Sequence, residues 1–269
     1  EEGRLRILHD DVENLVFQNG SVVGVETQTM SLDADVVVMC AGALMTPQIL
    51  LRSGLGHHND KIGLGLQDHP AITFAADIEP GSRACFDASV VREAETSSGA
   101  RFLQVGYERA SKSEENIGLF SVMLLTPRSR GWVRMHEHGP EISLNMLSDE
   151  YDVVAMRDAV KDLIGLVSNG EIARNFSRIY IDDNGNDVST LKEGNDDDMD
   201  SWILRNLRPV SHVASSCAQA VTSTGLLSGV SGVYVADASV LPSVPACTPA
   251  GPVTMGARRI ADEIRGALQ

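Results

Sequence analysis

The sequence predicts an α/β protein with an α+β segment inserted into it, and three observations point there. Residues 34–56 read as a buried strand followed at once by a helix. From about 73 to 205 the texture changes to short strands with a partial period of two, and strand, loop and helix return over 232–269. A chain of 269 residues is long enough to build a substantial core in each part.

Taken in order, "RLRILHDDVENLVFQNGSVVGVETQ" (4–28) predicts strands separated by a turn. Asn19-Gly20 between apolar runs is the favoured two-residue hairpin signal, because both residues tolerate positive φ. "ADVVVMCAGA" (34–43) is a continuous apolar run ending in small residues, which suits a strand buried on both faces. In "TPQILLRSGLG" (46–56), Thr46 is read as a helix N-cap, Pro47 as the first helical residue and Gly54 as the left-handed stop. Strand, tight turn and helix in succession bring backbone N–H groups toward a bound ligand.

In the inserted part, "FAADIE", "RFLQVGYER", "GLFSVMLL", "RGWVRM" and "EISLNML" read as short strands. "SDEYDVVAMRDAVKDLIGLV" (148–167) reads as a helix with Val153, Met156, Val160 and Leu163 on one face. The acidic run "EGNDDDMD" (193–200) is read as a solvated loop, since it lacks the ligand spacing and turn glycine of a calcium loop. At the end, "GVYVADASVLPS" (232–243) is a strand opening into a small-residue loop. Residues 251–269 are a helix with Val253, Gly256, Ile260, Ile264 and Ala267 facing inward.

A net charge of −15 argues against a nucleic-acid or anionic-membrane partner, because counterion release needs a basic face. No run of 18 apolar residues spans a bilayer, and no signal peptide is evident. Cys40, Cys85, Cys217 and Cys247 are scattered without CxxC spacing, which speaks against structural zinc and fits a reducing, cytoplasmic setting. "HEH" (136–138) is read as two histidines on one face of a solvent-facing strand end, with no third ligand for a metal. The chain opens without Met and already inside what reads as a strand, so it is expected to be a piece of something longer.

Three passages resemble the glucose–methanol–choline (GMC) family of FAD-dependent oxidoreductases. "GALMTPQILLRSGLG" (42–56) matches the family's second signature, "IGLGLQDHP" (62–70) resembles its "VGxNLQDHP", and "GVSGVYVADASVLPSVP" (229–245) resembles "GVxGLRVVDASVMPxxP". "LLTPRSRGWVRM" (124–135) and "YDVVAMRDAVK" (151–161) have the look of the family's substrate domain. The resemblance runs in order along nearly the whole chain. It implies an incomplete Rossmann-like FAD-binding domain, 1–72 and 206–269, with an inserted α+β substrate domain, 73–205, built on an antiparallel sheet. The family's opening GxGxxG turn has no counterpart here, because "GLGLQ" (63–67) follows a helix instead of joining strand to helix. The chain is therefore expected to be a C-terminal portion whose partner is the absent N-terminal FAD-binding segment, on the same or a separate chain.

The same resemblance implies the site. Val12 falls in the family's adenine-contacting segment, and Asp237, Ala238 and Ser239 form the loop that passes the ribityl and phosphate region. Gly251, Pro252 and Val253 open a helix aimed at the flavin pyrimidine ring, where a positive helix end favours reduced, anionic flavin. "HVASSC" (212–217) stands where the family has "HPVGTC", so His212 is implied as the base that takes the proton of an alcohol or sugar substrate. Val213 replaces a proline and Ser215 a glycine. The family's partner His or Asn falls on Thr248, which offers one hydroxyl and cannot be a second base. His69, set before a proline, is read as structural. Two other readings share these residues: a flavin-dependent lyase of the same fold, such as a hydroxynitrile lyase, and a non-catalytic piece that only associates with the absent half.

Overall fold

The computed structural model describes residues 5–79, 90–107 and 116–267, so Cys85 lies outside the described residues. The chain begins with β1 (Val12–Gln18), β2 (Ser21–Thr27), β3 (Ser31–Asp33), β4 (Val37–Met39), α1 (Gly42–Arg52) and β5 (Leu64–Leu66). There follow β6 (Pro70–Ile78), β7 (Val90–Glu95), β8 (Arg101–Tyr107), β9 (Ile117–Leu124), β10 (Gly131–His136), β11 (Gly139–Ser143) and α2 (Glu150–Ser168). Next come α3 (Gly170–Ala173), β12 (Phe176–Tyr180), α4 (Ser189–Glu193), α5 (Asp196–Asn206), β13 (Arg208–Pro209), β14 (Val233–Val235) and α6 (Ala250–Ala267). They fold as two compact units, one from Glu1–Gln67, Arg130–Asn145 and Val213–Gln269, the other from Asp68–Ser129 and Met146–His212. The first unit takes in β10 and β11, which lie within the 73–205 span read from the sequence as one domain, because β10 pairs with β5.

In the first unit, β1, β2 and β3 form an antiparallel sheet whose first turn is Asn19-Gly20, with φ of 52° and 79° as the dipeptide predicts. Among the described residues, strand structure starts at Val12. Leu5 and Ile7 are 81% and 74% exposed, and their backbone has no ladder partner among the described residues. β4 pairs in parallel with β14, the α/β feature expected of "VVVM" and "GVYV". Burial on both faces does not follow, since Val38 is 43% exposed.

Helix α1 corrects the reading of its N-terminus. It begins at Gly42, with Ala41 as N-cap, so Thr46 and Pro47 lie inside it. Two side chains make this tolerable. Pro47 has no N–H to give the Ala43 carbonyl, and the Ser216 hydroxyl donates to that oxygen instead at 2.6 Å. Thr46 donates its hydroxyl to Asp237 at 2.6 Å and accepts from the Ala41 N–H at 3.1 Å, so it serves the turn from within the helix. Gly54, φ 79°, ends this region as expected. Gly63 explains its own motif: a Cβ there would stand 2.0 Å from the Val133 carbonyl oxygen of β10. The glycine pair of "GLGLQ" thus serves the approach of two backbones.

Helix α6 also departs from its expected packing. Of its proposed inward face only Ile260 is buried; Val253, Gly256 and Ile264 are half-covered, Ala267 is exposed, and Met255 is 76% exposed.

The second unit is a six-stranded antiparallel sheet in the order β12-β6-β9-β8-β7, with β13 also on β6. The α2 helix covers it, burying Met156, Val160, Leu163 and Val167 against Ile72, Phe74, Val122 and Leu124. Asp149 caps α2 by accepting from the Tyr151 N–H. The acidic run is not a loop: Asn195 and Asp198 form a capping box and Asp196–Asn206 is α5. Aspartates in a first helical turn complement the helix dipole. Asp200 further accepts two hydrogen bonds of 2.6 Å from Arg157. Asp196 accepts from Lys161 at 2.6 Å and from Arg157 at 3.1 Å, and these two cations, Lys161 foremost, hold it below the usual carboxylate range.

Candidate active site

In the second unit, "LQDHP" delivers Asp68 and His69 immediately before β6, and β13 pairs with the start of that strand through Arg208–Ala71 and Pro209–Pro70. The pairing brings Ser211 and His212 beside Asp68 and His69. Asp68, 2% exposed, accepts backbone N–H bonds from His69 (2.7 Å) and His212 (2.9 Å) on Oδ1 and from Ser211 (2.9 Å) on Oδ2. Ser211 reaches this geometry at φ 65°. The imidazoles then meet: His69 Nδ1 and His212 Nδ1 are 3.0 Å apart, the rings at 89°. His69 is fully buried, whereas His212 is half-buried. The sequence reads His69 as structural and gives Asp68 no role; the signal for their meeting with His212 is the adjacency of an acid and a histidine in "LQDHP".

In the first unit, residues that follow His212 line the loop after β14. The Ser215 N–H donates to the Ala238 carbonyl at 3.0 Å and the Cys217 N–H to Ser239 at 2.8 Å. Asp237, 7% exposed, accepts from Gly42 N–H (2.8 Å) and the Thr46 hydroxyl on Oδ2, and from Ser239 N–H (2.8 Å) on Oδ1. Its carboxylate therefore closes the N-terminus of α1 with a group of the chain itself. The Ser239 hydroxyl is buried against the Cys217 thiol without a hydrogen bond of good geometry. Burial pushes that thiol up to about 12, and burial with the Asp237 charge raises Cys40 as well.

Ser215 adopts a left-handed backbone conformation that favours glycine. Its φ is 77°, it is 1% exposed, and its hydroxyl has no hydrogen-bond partner. A left-handed conformation costs an L-residue about 1–2 kcal/mol relative to glycine. Ser215→Gly is therefore expected to stabilise the first unit by about 1 kcal/mol, because relief of strain exceeds the loss of a hydroxyl that bonds nothing. Thermal unfolding followed by circular dichroism checks this, and a lower melting temperature in the variant would count against a strained Ser215.

Thr248 is exposed in the loop before α6, and Gly251, Pro252 and Val253 form the first turn of that helix. The Val253 N–H is used by the Pro249 carbonyl at 2.9 Å. No acidic residue stands in this first turn, and Gly251 is open, with nothing within 4 Å of a Cβ built on it. A helix opening with no acidic side chain in its first turn suits the polar edge of a flavin. Val12 opens β1 and is half-buried beside the first unit's core. The "HEH" reading needs correction: His138 falls in the turn of the β10–β11 hairpin, and His136 bonds Glu141 at 2.8 Å, which holds that carboxyl low. No helix among the described residues is long and apolar enough to cross a membrane.

Known proteins resemble this chain in sequence and in fold. The two family models described as GMC oxidoreductase match residues 2–71 and 127–257. A 5-(hydroxymethyl)furfural oxidase of Methylovorus sp. (strain MP688) is 26% identical over 94% of this chain and 56% of its own length. An oxygen-dependent choline dehydrogenase of Chromohalobacter salexigens is 24% identical over 86% and 50%. Among solved structures, pyridoxine 4-oxidase from Mesorbium loti superposes with a TM-score of 0.76 at 20% identity, covering 96% of this chain and 57% of that one. Formate oxidase of Aspergillus oryzae gives a TM-score of 0.79 at 18% identity, covering 96% and 60%. The chain spans about half the length of the curated relatives it matches.

Proposed function

We infer, because this chain belongs to the GMC oxidoreductase family, that it is the C-terminal portion of an FAD-dependent enzyme oxidising an alcohol or sugar hydroxyl. The observation that carries this reading is the mounting of His212: backbone fixed by Asp68, Nδ1 engaged by His69, and side chain half-buried. An imidazole held through one nitrogen has the other left to take a hydroxyl proton. His212 is the base. FAD, when bound, supplies the acceptor for the hydride that leaves the carbinol carbon. Val12, the loop Asp237–Ala238–Ser239 and the turn Gly251–Pro252–Val253 line the cofactor, and Asp237 fixes the shape of that loop through its three internal hydrogen bonds. Three of the proteins compared have names that specify 5-(hydroxymethyl)furfural, choline and pyridoxine, each of which bears a CH2OH group.

The chain works with a segment that carries the GxGxxG turn, on the same or a separate polypeptide. Exposed Val38 on β4 and the half-covered stripe of α6 are the apolar surface such a segment would cover. Equilibrium dialysis against FAD tests this. Stoichiometric binding is expected only when that segment is present, and stoichiometric binding by the chain alone would refute the assignment of the cofactor site.

A further inference from the structure

We propose that His69 is a positioning residue that sets the tautomer of His212, an inference that rests on His212 being the base. Two imidazole nitrogens 3.0 Å apart share one hydrogen, so one Nδ1 donates and the other accepts. If His69 donates, neutral His212 carries its hydrogen on Nε2 and has no lone pair there to take a proton. If His212 donates, its Nε2 is a lone pair and its Nδ1–H points at the Nδ1 lone pair of His69. Only the second arrangement makes a base of His212. It also survives proton transfer: imidazolium at His212 keeps its Nδ1–H, so the same bond to His69 persists before and after the step. In the first arrangement His212 Nδ1 is already occupied as an acceptor.

The geometry resists rearrangement. Asp68 binds the backbone N–H groups of both histidines through a single oxygen, so the two rings start from backbones tied together. His69 is fully buried, which keeps water from competing for its Nδ1. A free histidine side chain favours the Nε2–H form, so without His69 the base would rest mostly in the wrong tautomer. Loss of the group that sets a catalytic tautomer has cost roughly 10⁴-fold in kcat in a serine protease triad.

The test uses the full-length, flavin-loaded protein with uniformly 15N-labelled histidine. Long-range 1H–15N correlation spectra report which nitrogen of neutral His212 bears the hydrogen. Protonated Nδ1 and bare Nε2 are expected in the wild type. His69→Leu should move the population toward Nε2–H and lower kcat by roughly 10²-fold or more with KM changed less than about threefold. His69→Asn, whose amide oxygen can accept at the same place, should restore the Nδ1–H form and most of kcat. Turnover is read with whichever of 5-(hydroxymethyl)furfural, choline or pyridoxine reduces the flavin fastest. An Nε2–H tautomer in the wild type overturns the proposal, as do equal losses in the Leu and Asn variants. The wild-type spectrum decides even if His69→Leu does not fold. Full turnover by His212→Asn alongside a fixed Nδ1–H would instead overturn the reading of His212 as base.

Discussion

His212→Asn is expected to slow flavin reduction by an alcohol by roughly 10²–10⁴-fold while FAD stays bound. The range follows from what the side chain does. A positioned base takes the hydroxyl proton as the carbinol carbon gives up its hydride, and removing it leaves only binding and orientation to promote the step. Asparagine retains a polar group of similar reach and can still accept from a neighbour, so the loss reports proton acceptance in particular. The backbone at this place is held by the Asp68 carboxylate through the His212 N–H, a bond that the substitution does not touch. Rapid mixing without oxygen measures the reduction rate directly. A loss of less than tenfold would assign the base elsewhere.

Asp68→Ala is expected to destabilise the second unit by roughly 3 kcal/mol or more. Three backbone N–H groups, those of His69, Ser211 and His212, lose their acceptor together. Leaving a buried donor unpaired costs about 1–3 kcal/mol each, and Asp68 itself is nearly inaccessible, so water cannot readily replace it. For a unit of this size that corresponds to a drop in melting temperature of roughly 6–12 °C. Asp68→Asn keeps the shape and one acceptor oxygen but opposes an amide N–H to a backbone N–H, so an intermediate loss is expected. Differential scanning calorimetry of both variants checks the order. A melting temperature unchanged in Asp68→Ala would mean that the three donors find other partners.

Much of the fold was legible because local chemistry and global structure agree there. Asn19-Gly20 adopts the positive φ at both residues that the dipeptide predicts, and Val37–Met39 pairs in parallel with Val233–Val235. The errors arose where a distant residue overrode a local rule. Thr46-Pro47 reads as a helix start, yet Ser216 supplies the donor that Pro47 lacks and Asp237 closes the true N-terminus at Gly42. The acidic run reads as a loop, yet Arg157 and Lys161 on α2 neutralise it and Asn195 caps it. His138 reads as part of a strand and lies in a turn, a one-residue matter of hairpin length.

For the candidate site, the resemblance supplied His212 but not its surroundings. Asp68 and His69 lie 144 and 143 residues from it in sequence, and no spacing rule links them. Their contact comes from the pairing of β13 with β6, which only the folded chain displays. Ser215 is the converse case. The resemblance implies a glycine at this place, while the left-handed backbone of Ser215 needed the structure.

The central claim is that this chain contributes the base of a flavin-dependent alcohol oxidation, and anaerobic mixing tests it most directly. The full-length flavin-loaded protein would be mixed without oxygen with 5-(hydroxymethyl)furfural, choline and pyridoxine, and the visible band of the flavin followed. The account predicts that at least one of these alcohols bleaches the flavin and yields the matching carbonyl compound, and that His212→Asn slows the bleaching. A flavin that stays yellow with every alcohol while the protein cleaves a cyanohydrin would contradict it and identify a lyase.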